Sequence, residues 1–394
     1  MRRILFVINS LTIGGSEKSL VSLLNMMDYS KFNVDLLMFR HGGEFEKYIP
    51  KEVNVLKEPE YYSYVAKNKE GISSFNKGRY IFNRIKTSIN LRRNLRKTIP
   101  IHADQVLYKS HNKALEKINK KYDIAIAYSQ GLPTYYVAEK VNADKKIAWI
   151  NCDYATTMYD KEYDKKFYVN YYKIIAVSNS IKESIIKLNK EYEKKLEVIL
   201  DIVDPKLIEK MSEEEQVLKD KSYINILTVA RLVIVHKGYD VAIKAAKLLK
   251  NDGYKFKWFV IGDGADRKRI EQLILEEEID DCFILLGKKD NPYPYMKNCD
   301  IYVQPSKKEG FGLTVVEAKI LNRPILCTNF NTASEIINDR YDGIIVDQNE
   351  EALYRGLRMY IDNLKLKEEI LNNLKAENQY SSISEIEKIF NLIG

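Results

Sequence analysis

The sequence predicts an α/β protein built from two doubly wound domains. Three observations carry this. Short, near-continuous apolar runs alternate with helical stretches, the pattern of a parallel sheet covered on both faces. The pattern starts twice, at Arg2 and again at Ile224. The chain has 394 residues, more than one ordinary core holds, and its 45% apolar content is globular.

The first half opens on the strand "RRILFVINS", passes through the loop "LTIGG" with Gly14 and Gly15, and enters a helix. There Leu20, Leu23, Leu24 and Met27 recur at helical spacing. Six further runs read as strands: "FNVDLLMF", "VNVL", "YDIAIAYS", "KKIAWI", "KIIAVS" and "LEVIL". This domain is expected over residues 1–203. The charged, core-poor stretch 204–222 reads as a linker.

From residue 223 the pattern restarts. "INILTVARL", "FKWFVIGDG", "CFILLG", "DIYVQPS", "RPILCTNF" and "DGIIVDQ" are six strand candidates of a second domain, expected over 223–372. Two such sheets facing each other would leave one deep cleft at the carboxyl ends of their strands. A helical tail, 373–394, carries Ile383, Ile386, Ile389 and Phe390 on one side, so it must dock on a core.

Other totals exclude classes. The four cysteines, Cys152, Cys282, Cys299 and Cys327, show no CxxC spacing and read as thiols of a reducing compartment. No early apolar run is long or charge-free enough for a signal peptide or a membrane span, so a cytoplasmic location is expected. The four histidines are scattered, and nothing clusters as a metal site. Gly262-Asp263-Gly264 follows a strand, but Arg267 stands where a dinucleotide fingerprint needs its third glycine. A nicotinamide-dependent oxidoreductase loses on that point. Gly262 reads instead as a tight turn with a close approach to a nucleotide.

The stretch "SKKEGFGLTVVEAKI" carries the chemistry. Glu309 falls on the loop after "DIYVQPS", and Glu317 falls on the opening turns of the helix "LTVVEAKIL". Side chains on a helix lean toward its N-terminus, so Glu317 can point back toward Glu309. The backbone N–H groups around Phe311, Gly312, Leu313 and Thr314 form an anion site at the helix start. Phosphate at the centre with hydroxyl groups at both ends describes a nucleoside diphosphate sugar. Arg231 and Lys237, in "ARLVIVHKG", supply two cations to offset a diphosphate. Tyr293 and Tyr295 either border a base or pack as core.

These residues resemble a known family. "EGFGLTVVEAKILNRPILCTN" is similar to the E-x7-E segment of family 4 retaining glycosyltransferases. "TVARLVIVHKGYD", "VIGDGADRKRIEQLI" and "LLGKKDNPYPYMKNCDIYVQPS" resemble the same family in order and spacing. The likeness is strong over 222–348 and weaker over the first half, where "INSLTIGGSEKSLVSLL" and "IIAVSNSIKESI" match best. It implies the GT-B fold, with the last helix docking back on the N-terminal domain. It further implies metal-independent hexosyl transfer without a cofactor, from a UDP-linked sugar to a glycan, lipid-linked or protein-linked acceptor. By the same likeness Glu309 contacts the donor sugar and Glu317 the ribose. The amides of Phe311, Gly312 and Leu313 then hold the diphosphate, which the Gly14–Gly15 loop meets from the other domain. The alternative is a catalytically inactive GT-B scaffold that binds a partner enzyme or glycan.

Two departures stand out. Asn151, in "AWINCDY", occupies a place where many relatives carry histidine, so Asn151 and Asp153 are candidate sugar or acceptor contacts without an acid–base role. Asp201 stands where asparagine is common, with an expected structural consequence. Lastly, no acidic residue occurs from Gly71 to Ala103, while Lys77, Arg79, Arg84, Lys86, Arg92, Arg93, Arg96 and Lys97 do. With Ile81, Phe82, Ile85, Ile89 and Leu95 this reads as a basic amphipathic helix suited to an anionic membrane surface. The competing reading is an ordinary docked helix. Nucleic acid is excluded as a partner because no binding motif accompanies the charges.

Overall fold

A computed structural model describes residues 1–66, 74–217, 220–376 and 382–394. The chain forms two units, Met1–Ile202 with Ile383–Gly394, and Val203–Ser382. In the first, seven parallel strands lie in the order β3-β2-β1-β4-β5-β6-β7. They are β1 (Arg2–Ile8), β2 (Phe32–Met38), β3 (Asn54–Val55), β4 (Ile118–Ala127), β5 (Val141–Ile150), β6 (Lys173–Ala176) and β7 (Leu196–Val198). Every expected strand is present. The inner ones are buried over their carboxyl-terminal parts, as strands covered on both faces must be. The helix Gly15–Asn25 buries Leu20, Leu23 and Leu24.

The last helix, Ile383–Ile393, belongs to this first unit. Ile386, Ile389 and Ile393 are buried, Phe390 packs on Phe32 with ring centroids 5.5 Å apart, and Arg2 Nη1 donates to the Ile393 carbonyl at 2.7 Å. Ile383, expected on the buried side, is exposed.

Asp201 follows β7 and is buried beside Ser19, whose hydroxyl accepts the Ile202 N–H at 2.9 Å. Burial, with the Glu17 carboxylate adding, pushes the Asp201 carboxyl up to about 7 from 3.8. Between these values the folded chain keeps a proton that the unfolded chain has released. Stability therefore falls as pH rises from about 4 to about 7 and stays flat above. Asp201→Asn removes the charge. It is expected to raise the thermal midpoint by roughly 5 °C at pH 8 and to leave it nearly unchanged at pH 4. Equal shifts at both pH values in a thermal melt would contradict this.

The second unit holds six parallel strands in the order β10-β9-β8-β11-β12-β13. They are β8 (Ile224–Val229), β9 (Phe256–Ile261), β10 (Phe283–Gly287), β11 (Ile301–Gln304), β12 (Ile325–Thr328) and β13 (Ile344–Val346). In both sheets the order reverses beside the first strand, next to β4 in one and next to β11 in the other. Doubly wound sheets bind ligands at that switch point, outside the carboxyl ends of the strands.

The expected linker is a correction. Within 204–222, the helix Pro205–Ser212 starts on an Asp204 cap and buries Ile208 and Met211 in the second unit. The Met211 carbonyl accepts from Asn291 Nδ2 at 2.7 Å. The charges belong to its outer face and hid the two apolar positions. Residues 218–219 lie outside the described residues, as do 377–381 of the expected tail. The rest of the tail's start, up to Ala376, is the end of helix Leu364–Ala376 of the second unit.

Candidate functional site

The second unit gathers most of the expected site at the carboxyl ends of β8 and β11. Past β8 comes the short helix Ile234–Lys237, closed by Gly238 at φ +63. Past β11 the chain bends at Pro305 and returns through Glu309 to Gly312 at φ +106, which opens the helix Leu313–Ile320. The two loops are tied together: the amides of Lys307 and Lys308 donate to the His236 carbonyl at 2.8 and 3.2 Å.

Lys237 and Glu309 meet between these loops, Nζ to Oε1 at 2.6 Å, with side chains 14% and 11% exposed. Two polar residues that sequence reading missed hold the carboxylate, and a third holds its backbone. Gln304 Nε2 and Ser306 Oγ donate to the same Oε1 at 2.9 and 2.6 Å. Asn331 brackets the Glu309 backbone, accepting its N–H at 3.0 Å and donating to its carbonyl at 2.9 Å. A carboxylate so fixed keeps its direction, which a positioned hydrogen-bond acceptor requires. The available signal was Gln304, a polar residue at the end of a fully buried strand. Asn331 had none.

Glu317 sits on the second turn of its helix and is 2% exposed. Its Oε1 accepts from Tyr293 OH at 3.0 Å. Tyr293 is thus buried and holds a carboxylate, a role neither sequence reading had given it. Both glutamates surround the buried Tyr302, whose hydroxyl is pushed far above its usual range, first by burial and further by Glu317 and Glu309. Tyr302 OH donates to Gln304 Oε1 at 2.7 Å and Thr314 Oγ1 reaches the same atom at 3.2 Å, so both join the network that holds Glu309.

No side chain caps the start of helix Leu313–Ile320, and its first turn holds no acid. Phe311 and Leu313 are buried, and Thr332 Oγ1 donates to the Phe311 carbonyl at 2.7 Å, which fixes the glycine loop. Gly262 follows β9 at φ +152, and an added Cβ would fall on the Ala230 carbonyl just past β8. Arg231 is exposed next to it and makes no ion pair with any described residue.

The remaining candidates belong to the first unit. Gly14 precedes the helix Gly15–Asn25 in extended backbone that any residue adopts, and an added Cβ there would fall on the Glu17 carboxylate. Asn151, after β5, donates from Nδ2 to the Tyr128 carbonyl at 2.8 Å, and its Oδ1 is buried without a hydrogen-bond partner among the described residues. Asp153 accepts from Ser184 Oγ at 2.7 Å and from Ala155 N at 3.3 Å, so it ties its own turn to the helix Asn179–Leu188. Among the described residues no three His, Cys, Asp or Glu side chains gather as a metal-binding group, and no helix is long and apolar enough to cross a membrane.

Two doubly wound α/β units in one chain are the parts of the GT-B fold. Solved structures of that fold match throughout: an Anabaena protein (HepE) solved with UDP and glucose has a TM-score of 0.70 at 16% identity, covering 100% of this chain and 99% of that one. Staphylococcus aureus TarM reaches 0.65 at 16% identity, covering 100% of both chains. Residues 209–377 match the family described as glycosyl transferases group 1. Among curated proteins, a Campylobacter jejuni N-acetylgalactosaminyltransferase acting on a diphospho-undecaprenol-linked sugar is 30% identical over 46% of this chain and 49% of its own length. A capsular polysaccharide biosynthesis glycosyltransferase of Staphylococcus aureus is 27% identical over 55% of this chain and 61% of its own. The chain thus spans between about half and three fifths of these relatives.

Proposed function

We propose that this protein is a family 4 retaining glycosyltransferase. It moves a hexose or N-acetylhexosamine from a UDP-linked sugar to a glycan, lipid-linked or protein-linked acceptor, in cell-surface polysaccharide or glycoconjugate synthesis. The observation that carries this is the Lys237–Glu309 pair, fixed between the strand ends at the switch point of the second sheet. An uncapped helix start stands beside it for a diphosphate. Arg231 and Lys237 offset the charge that grows on the leaving group, Glu309 holds donor hydroxyls, and Glu317 holds the ribose. The relatives support the reading: one acts on a diphospho-undecaprenol-linked sugar, one belongs to capsule synthesis, and one is solved with UDP and glucose.

In this reading the protein needs no nucleophile. The acceptor hydroxyl attacks on the face the diphosphate leaves, its proton passes to the departing phosphate oxygen, and the side chains contribute position and fixed charge. Slow hydrolysis of one UDP-sugar in a panel, scored against released UDP, tests it. A protein that binds no nucleotide sugar and hydrolyses none is the inactive scaffold instead. Glu317→Ala is expected to weaken UDP binding by roughly tenfold or more in calorimetry, since it removes a charged hydrogen-bond acceptor. Unchanged affinity would refute the ribose role. We place the reaction on the cytoplasmic side, at the inner membrane face.

A further inference from the structure

The helix Ser74–Leu95 is built inside out. Its inward positions are Tyr80, Asn83, Thr87 and Asn94, all buried and mostly polar. Three of the four are satisfied: Tyr80 OH donates to Glu60 and Glu116 at 2.9 and 2.8 Å, Asn83 Nδ2 to the Arg79 carbonyl at 2.8 Å, and Asn94 Nδ2 to the Ile101 carbonyl at 2.7 Å. The apolar residues face the other way. Ile81, Phe82, Ile85 and Ile89 are 43%, 67%, 56% and 43% exposed. At about 100° per residue they share one arc opposite the buried set. Leu95 and Ile99 extend the exposed apolar surface past the helix end. An ordinary surface helix shows the reverse arrangement.

The arc is bordered by cations. Lys77, Lys86, Arg92, Arg93, Arg96 and Lys97 are exposed and form no ion pair with any described residue. We propose that this face docks on an anionic lipid bilayer, with Phe82, Ile85 and Ile89 entering the headgroup–acyl boundary and the cations lying on phosphate. The charge selects the occupant. A second copy would bring the same row of cations against this one, and like charges across an interface are repulsive. One helical arc is also small beside the roughly 800 Å² per partner that a stable dimer buries. An anionic surface satisfies both halves of the face at once. The inference is independent of the donor site, so its failure leaves glycosyl transfer standing, and the reverse holds too.

The test is co-sedimentation of the full chain with vesicles of phosphatidylcholine alone or mixed with phosphatidylglycerol. Binding is expected only to the mixed vesicles and should weaken with added salt. Arg92→Gln with Arg93→Gln is expected to lower the partition coefficient roughly tenfold. Phe82→Ser with Ile85→Ser should do the same without a fall in thermal midpoint, since both side chains are exposed. Equal binding of all variants, no binding to mixed vesicles, or a solution dimer that only the Phe82/Ile85 variant dissolves would each overturn the proposal.

Discussion

Replacing Lys237 with alanine is expected to cut donor turnover by between roughly tenfold and a hundredfold, the range for losing one charge-assisted contact of about 1.5–3 kcal/mol. Two effects add. The transition state loses a cation beside the leaving diphosphate, and Glu309 loses its only partner of opposite charge among the described residues. The loop should keep its shape, because Gln304, Ser306 and Asn331 still hold Glu309. A small fall in thermal midpoint with a large fall in kcat is therefore the expected signature. Lys237→Arg is not a neutral control, since a planar guanidinium does not fit a site shaped for one ammonium. The informative companion is Glu309→Gln. It keeps the loop, frees Lys237, and should reduce turnover while leaving UDP affinity nearly unchanged. Near-normal turnover of Lys237→Ala would remove the pair from the mechanism.

The sheets were legible because strands buried on both faces must be nearly unbroken apolar runs, and all thirteen runs stand in the structure as strands, though β3 at its sheet edge is exposed. The glycine loop and Glu317 were legible because helix starts and glycines leave local marks. Partners set by folding were not. Asn331 lies 22 residues from the Glu309 backbone it brackets, and Tyr293 lies 24 residues from Glu317. No local spacing links them. Periodicity also cannot say which side of a helix faces in. The same pattern over 77–97 fits a docked helix or an exposed apolar face. In the structure Tyr80, Asn83, Thr87 and Asn94 are buried while Ile81, Phe82, Ile85 and Ile89 are exposed, which gives the second. The helix Pro205–Ser212 failed for a related reason: two buried apolar side chains in eight residues are outvoted by surface charge.

Gly238→Ala is expected to cost on the order of 3 kcal/mol of stability in the second unit and to lower nucleotide affinity with it. Gly238 is both the end of the helix Ile234–Lys237 and the start of the helix Tyr239–Asn251, at φ +63. An added Cβ would fall on the Pro305 carbonyl oxygen, which is backbone and cannot rotate away. The helix start must then withdraw from the β11 loop, and the neighbouring Lys237 withdraws from Glu309. Gly253→Ala supplies the control. Gly253 is also left-handed, at φ +80, but nothing lies within 4 Å of its added Cβ. It should cost only the left-handed backbone penalty, about 1 kcal/mol, and leave affinity alone. The difference between the two substitutions isolates close packing from conformational preference. If both shift the denaturant midpoint equally, the approach of the two loops at Gly238 is not what holds the Lys237–Glu309 pair in place.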